Sequence, residues 1–416
     1  MGSEMCIRDR FPKGETAPVD GLIPESALVD AENRTFHAYV HVPYCEVKCG
    51  YCDFNTSTAD EIGTSTQGTF AKTLNSEIEF AEQVLVNSGL PKRPMTSVFL
   101  GGGTPTMLAA TDLIEMLNKL KETFGIAEDA DITTEANPDS VDEQYIKDLK
   151  AGGFNRISFG MQSAVPHVLK VLERTHNPGN VVKVVNFAKS VGLFTSVDLI
   201  YGSPGESLED WKQTLEAAIA LDTDHISAYS LIVEPGTKLA RQVKSGELVP
   251  ATDDLHADMY ELSEKLLSAA GFANYEVSNW AKSVEQRSGH NMAYWKSMDW
   301  WGFGPGAHSH VGGVRWWNVK NPSAYSDRMK AGVSPALERE IIDQENRDIE
   351  KVMLETRISD GISIEWLKSK GFAEPKVVAA LIAEELVEAK AAMSGTIILT
   401  SKGRLLADFV VLKLLG

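Results

Sequence analysis

The sequence is poor in cysteine, in positive charge and in long apolar runs, and each shortage removes a class of protein. Four cysteines in 416 residues are too few and too unevenly placed for a disulfide framework. Lysine and arginine number 40 against 58 acidic residues, a formal charge of −18. A polyanion would meet repulsion over most of the surface, so nucleic acid is not expected as a partner. No run of about 18 apolar residues is available to cross a membrane, and the first residues lack the basic segment, apolar stretch and small-residue cleavage site of an export signal. The expectation is a cytoplasmic protein. At 43% hydrophobic and 24% charged residues the chain is ordinary globular material, long enough for one large domain and one small one.

Residues 1–35 carry charges, Pro and Gly with little periodicity and are expected to be poorly ordered. From Phe36, short apolar or alternating runs are each followed by a segment with helical spacing, the pattern of βα units on a parallel sheet. The expected strands are 38–42, 97–100, 132–135, 156–159, 195–200 and 225–230. Spacings such as Leu113, Leu117 and Leu120 mark the helices between them. Six units predict an α/β fold built as an incomplete (β/α)6 barrel over 36–230. Residues 231–335 turn to Gly, His and aromatic sequence, with six of the eight Trp between Trp280 and Trp317, and are expected to extend that core differently. From 336 to 416 the order of helices, with a short strand at 396–399 and a closing helix from Gly403, resembles a winged-helix domain. Its 14 acidic and 11 basic residues argue against DNA binding.

Three of the four cysteines, Cys45, Cys49 and Cys52, fall within eight residues just after the first expected strand. Soft thiolates at this spacing suit three corners of a 4Fe-4S cubane and leave one iron without a protein ligand. The alternative is zinc, with His41 completing a Cys3His set in a zinc-stabilised interaction protein. One βα unit later comes Gly101-Gly102-Gly103-Thr104-Pro105, where missing side chains let backbone approach a ligand closely. A glycine turn alone is equally a tight connection; after a three-cysteine loop it points to a cofactor. Cys6 stands apart in a polar leader and is given no role.

These motifs resemble the radical SAM family that contains the oxygen-independent coproporphyrinogen III oxidases and their haem-chaperone relatives. The resemblance spans about 36–416 and rests on Tyr39-Val40-His41-Val42-Pro43-Tyr44-Cys45, the glycine motif, Glu135-Ala136-Asn137-Pro138, Gly160-Met161-Gln162-Ser163 and Gly304-Pro305-Gly306-Ala307-His308-Ser309. It implies a 4Fe-4S cluster on the three cysteines and S-adenosylmethionine held by Tyr39, Gly102, Gly103, Thr104, Glu135, Gln162, Arg174 and Asp198. Several of these sit near expected strand C-termini, the rim where barrel sites gather.

The oxidase carries a further cysteine two residues after the third, where this chain has Phe54. Its substrate-building N-terminal segment has no recognisable counterpart in residues 1–35. Cys52-Asp53-Phe54-Asn55-Thr56 and His290-Asn291-Met292-Ala293-Tyr294-Trp295 look instead like the haem-chaperone branch. That branch implies haem as bound cargo, with His290, Asn291, Tyr294 and Trp295 at the haem, although a hydrogen-bonded histidine in an aromatic core reads equally well from chemistry alone. It also implies delivery to apo-haemoproteins, an electron donor, a homodimer, and membrane contact only through partners. Coproporphyrinogen III oxidase activity is the alternative and is not expected.

Overall fold

A computed structural model describes residues 14–58 and 67–416. Cys6, and most of the polar stretch 56–69, lie outside the described residues. The strands are β1 (Glu15–Thr16), β2 (Phe36–Val42), β3 (Met95–Gly102), β4 (Ile126–Ala136), β5 (Arg156–Gln162), β6 (Phe194–Tyr201), β7 (His225–Ser230), β8 (Ala273–Glu276), β9 (Asn279–Ala281), β10 (Asp299–Phe303), β11 (His308–Val311), β12 (Val314–Asn318), β13 (Ala336–Ile341), β14 (Ile362–Ser363) and β15 (Thr396–Ile397). The first thirteen form one sheet in the order β1-β13-β12-β11-β10-β2-β3-β4-β5-β6-β7-β9-β8. All six expected parallel strands are present; β7 has the expected bounds, β4 begins six residues earlier, at Ile126, and the others are longer by two to four residues.

The aromatic region supplies a seventh parallel strand. β10 pairs in parallel with β2, Trp301 opposite Ala38, and β11 to β13 continue the edge as an antiparallel meander. Asp299 fixes that junction. It is fully buried, accepts from Arg34 Nε at 2.9 Å, from Arg93 Nη1 at 2.8 Å and from the Gly312 amide at 2.8 Å, and so keeps its charge matched inside the fold.

Helices cover the outer face. Leu74, Ile78 and Ala81 of Phe70–Asn87, Leu113, Leu117 and Leu120 of Ala110–Phe124, and Trp211 and Leu215 of Leu208–Ala220 pack in the main core with Val98, Leu100, Val197 and Leu199 of the sheet. The strand period of two turns their neighbours inward: Ser196 bonds His225 Nδ1 at 2.8 Å, and Asp198 accepts from Ser158 at 2.8 Å. The concave side is therefore polar where the convex side is apolar.

Two expectations need correction. The lead-in is ordered from residue 14: β1 pairs with β13, and Ala17, Ile23, Ala27 and Ala31 enter the main core. β13, expected within the C-terminal domain, belongs to the large sheet, so the separate C-terminal core begins with the helix Gln344–Glu355. There Val352, Ile362, Leu367, Leu381, Ile397 and Val410 pack together, and β14 and β15 form the small antiparallel wing. No helix among the described residues is long and apolar enough to cross a membrane.

Candidate functional site

The cysteine loop leaves β2 and is tied down at both ends by its own backbone. Cys45 donates to the Ser57 carbonyl at 3.1 Å, Ser57 returns a bond to Pro43 at 2.8 Å, and the Cys52 amide closes a turn on Cys49 at 3.1 Å. All three thiols are partly exposed and free. Burial pushes the Cys45 thiol up to about 11 and raises that of Cys52. Thr104 Oγ1 lies 3.9 Å from Cys45 Sγ and Arg174 Nη1 lies 3.8 Å from Cys49 Sγ, so donors already face the sulfurs.

The glycine turn after β3 packs against this loop. The Gly103 amide bonds the Val42 carbonyl at 2.8 Å and Thr104 bonds the Tyr44 carbonyl at 2.7 Å. A Cβ on Gly103 would fall 2.6 Å from the Tyr44 oxygen, and one on Gly102, whose φ is +105°, would fall 2.5 Å from His41 Nδ1. Both places demand glycine.

Facing these amides are two buried acids. Glu135 accepts from the Gly102 amide at 3.2 Å, and burial, reinforced by the charge of Asp198, pushes its carboxyl up to about 8. Burial likewise raises Asp198, against the hydroxyls of Ser227 and Ser158. Arg174 Nη2 bonds the Gly160 carbonyl at 2.9 Å, its buried Nε has no protein partner, and Gln162 holds a left-handed φ of 61°. A strained residue at a strand end is a mark of functional placement. Tyr39 completes the set through its hydroxyl, 3.0 Å from His41 Nδ1.

The structure thus brings together the cysteine loop and all eight residues expected around S-adenosylmethionine on one rim. Acids whose burial penalises ionisation fit a cationic ligand, and the Arg174 Nε fits an anionic one. The zinc alternative loses its fourth ligand. His41 bonds Tyr39 through Nδ1 and the Asn55 carbonyl through Nε2 at 2.9 Å. Among the described residues, no three His, Cys, Asp or Glu side chains gather closely enough for a single ion.

Comparison with known proteins agrees with this geometry. Residues 39–218 match the Radical SAM superfamily. Heme chaperone HemW of Mycobacterium tuberculosis is 40% identical over 403 residues, 96% of this chain and 99% of the relative, and that of Bacillus subtilis is 31% identical over 91% and 99%. The chain belongs to the HemW family of radical SAM proteins. A solved coproporphyrinogen III oxidase, HemN of Escherichia coli, shares the fold with a TM-score of 0.78 over 97% of this chain and 96% of that one, at 22% identity.

In this HemW-family chain the four residues expected at the haem share one short helix. The helix Gly289–Trp295 is packed against the concave side of β3. His290 is wholly buried, its Nδ1 2.7 Å from Ser97 Oγ and its Nε2 2.8 Å from Tyr294 Oη, and its ring stacks on Phe99 at 5.2 Å. Both nitrogens are occupied, and burial drives its pKa well below the usual value. Asn291 and Trp295 are also buried. This is the arrangement of a hydrogen-bonded histidine packed among aromatic rings. Tyr294 lies near the site, where burial and, secondarily, the charge of Glu135 raise its phenol.

Two positioning residues escaped the sequence reading. Asn55 Nδ2 donates to the carbonyls of Pro305 at 3.0 Å and Lys320 at 2.9 Å, clamping the end of the cysteine loop to the segments that follow β10 and β12. Glu77 accepts from the Gly304 amide at 2.7 Å, Asn318 at 2.8 Å and Tyr325 at 2.6 Å. Its signal was an acid between Leu74 and Ile78 on the apolar stripe of a helix.

Proposed function

We propose that this chain is a haem chaperone on a radical SAM scaffold, binding haem and delivering it to apo-haemoproteins. The observation that carries the reading is near-full-length identity of 40% to a protein named heme chaperone HemW. Phe54, at the place of the oxidase's additional cysteine, favours the same branch.

Radical SAM membership implies S-adenosylmethionine and a 4Fe-4S cluster, and Cys45, Cys49 and Cys52 would hold the cluster. When bound, the pair supplies one-electron chemistry able to take hydrogen from an unactivated carbon. In S-adenosylmethionine binding, Glu135 and Asp198 would face its positive charge or its ribose hydroxyls, while Arg174 would pair its carboxylate. Gly102 and Gly103 give the ligand room, and Thr104, Tyr39 and Gln162 offer polar contacts around it.

The test is haem titration of anaerobically reconstituted protein, followed by transfer to an apo-haemoprotein, beside an assay with coproporphyrinogen III. Haem uptake and transfer without decarboxylated product are expected. Decarboxylation at a useful rate without haem binding would replace this reading with the oxidase.

A further inference from the structure

One-electron chemistry needs an electron from outside the chain, so the cysteine loop needs a face at which a reductant can approach. All three thiols are partly exposed, and the loop shows Val47 at 47% and Phe54 at 40% exposure. Against it lies the helix Lys238–Ser245. Thr237 starts this helix by accepting from the Ala240 amide at 3.0 Å, and Gly246 stops it at a φ of +77°. Its first turn is fastened to the loop: the Leu239 amide bonds the Gly50 carbonyl at 2.9 Å, and Lys238 pairs with Glu173. Glu173 in turn packs on Gly50, where a Cβ would fall 2.9 Å from its Oε2.

The helical period divides the faces of this helix. Leu239 and Val243 turn inward, into a small apolar cluster that includes Tyr51 of the loop. Lys238, Arg241 and Lys244 are exposed, and the helix contains no acid. Arg241 donates to the Gly236 carbonyl at 3.0 Å and Lys48, on the loop, to the Thr56 carbonyl at 3.3 Å. Among the described residues, Lys48, Arg241 and Lys244 form no ion pair. The acids nearby are Glu46 and Asp53 on the loop, Glu173, held by Lys238, and Glu247, which accepts from Gln242 at 2.8 Å. A chain with a formal charge of −18 thus keeps unpaired cations on one helix beside its cysteine loop.

Most of such a surface repels an acidic protein, and a local run of free cations steers it to one place. Exposed Val47 and Phe54 add the apolar contacts that a protein interface has at its middle. We infer that the cysteine loop and the helix Lys238–Ser245 form the docking face for an acidic one-electron carrier protein. The carrier loses one electron and the cluster gains it, and no covalent bond of this chain is made or broken. The inference rests on the reading that Cys45, Cys49 and Cys52 hold the cluster.

The test mixes the full chain, with its cluster reconstituted anaerobically, with reduced plant-type ferredoxin, an acidic carrier, or with reduced methyl viologen, a small cation, and follows bleaching of the cluster. Calorimetry with oxidised ferredoxin reads docking without electron transfer. Reduction of the wild type by ferredoxin should slow as salt rises from about 0.05 to 0.5 M. Arg241→Gln/Lys244→Gln should slow it about tenfold at low salt, weaken ferredoxin binding and flatten the salt dependence. Methyl viologen should reduce this variant at least as fast as the wild type, which shows that cluster and loop are intact. Lys376→Gln/Lys390→Gln removes the same charge from the exposed surface of the C-terminal module and should leave ferredoxin binding and reduction as they are. Ferredoxin binding and reduction unaltered in the helix variant, or equally weakened in the C-terminal one, would overturn the docking face. A wild-type protein in which neither reductant bleaches a cluster would overturn the assignment of the cluster to the three cysteines, and this face with it.

Discussion

Burial without a matching cation is what distinguishes Glu135 and Asp198 from the surface acids, and it gives them an amide-lined recess in which a positively charged ligand is favoured. Glu135→Gln keeps the shape and removes the charge. It should weaken S-adenosylmethionine binding about tenfold or more, the scale of one lost charge-assisted contact, with iron and sulfide content unchanged; calorimetry beside metal analysis measures both. Glu77 makes a prediction in pH. Burial raises its carboxyl from 4.5 to about 7 despite three donors, so between these values the folded chain holds a proton that the unfolded chain has released. Folding stability from this group is therefore fullest below pH 4.5 and declines as pH rises to about 7. Denaturant titrations across that window should show the decline in the wild type and lose it in Glu77→Gln. Local spacing made the cysteines legible in the sequence. The surroundings of His290 were not legible, because Ser97 and Tyr39, which share its environment, lie nearly 200 residues or more away along the chain.

Among the elements, β2 to β7 were legible because each joins strand-length apolar runs to a helix of clear period, and both signals are local. β10 to β12 were not: Trp, Gly and His dominate them, and their pairing partner β2 lies some 260 residues earlier, so only tertiary contact selects strand. The short lead-in was misjudged for a related reason. Its apolar residues are few, yet Ala27 and Ala31 fill the core, and the Arg34 beside them reaches Asp299. The Asp299 junction consequently holds the lead-in, β10 and the β11–β12 turn together. Asp299→Ala leaves Arg34 and Arg93 buried without their acid, a change that costs about 3–5 kcal/mol. It should lower the chemical-denaturation midpoint without altering the cysteine loop directly, and hydrogen exchange should quicken first at 299–312.

The whole molecule has two apolar cores, one under the large sheet and one within the C-terminal module. Much of what joins them is polar: Asp360 pairs with Arg287 at 3.1 Å and Lys296 at 2.6 Å, Arg404 with Glu264 at 2.9 Å, and Arg315 with Glu350 at 2.7 Å. Partly exposed pairs of this kind contribute about 0–1 kcal/mol each and weaken with salt. Modules joined in this way can shift against each other without either core unfolding. Amide exchange at the junction, over 287–296 and 357–361, should accordingly quicken severalfold between about 0.05 and 0.5 M salt, because a shorter screening length loosens the module contacts. Asp360→Ala should quicken exchange there at low salt and flatten the salt dependence, since it removes two of the screened pairs in advance. Hydrogen-exchange mass spectrometry at several salt concentrations reads both effects. Exchange that ignores salt and Asp360 alike would mean that these pairs do not hold the C-terminal module to the sheet.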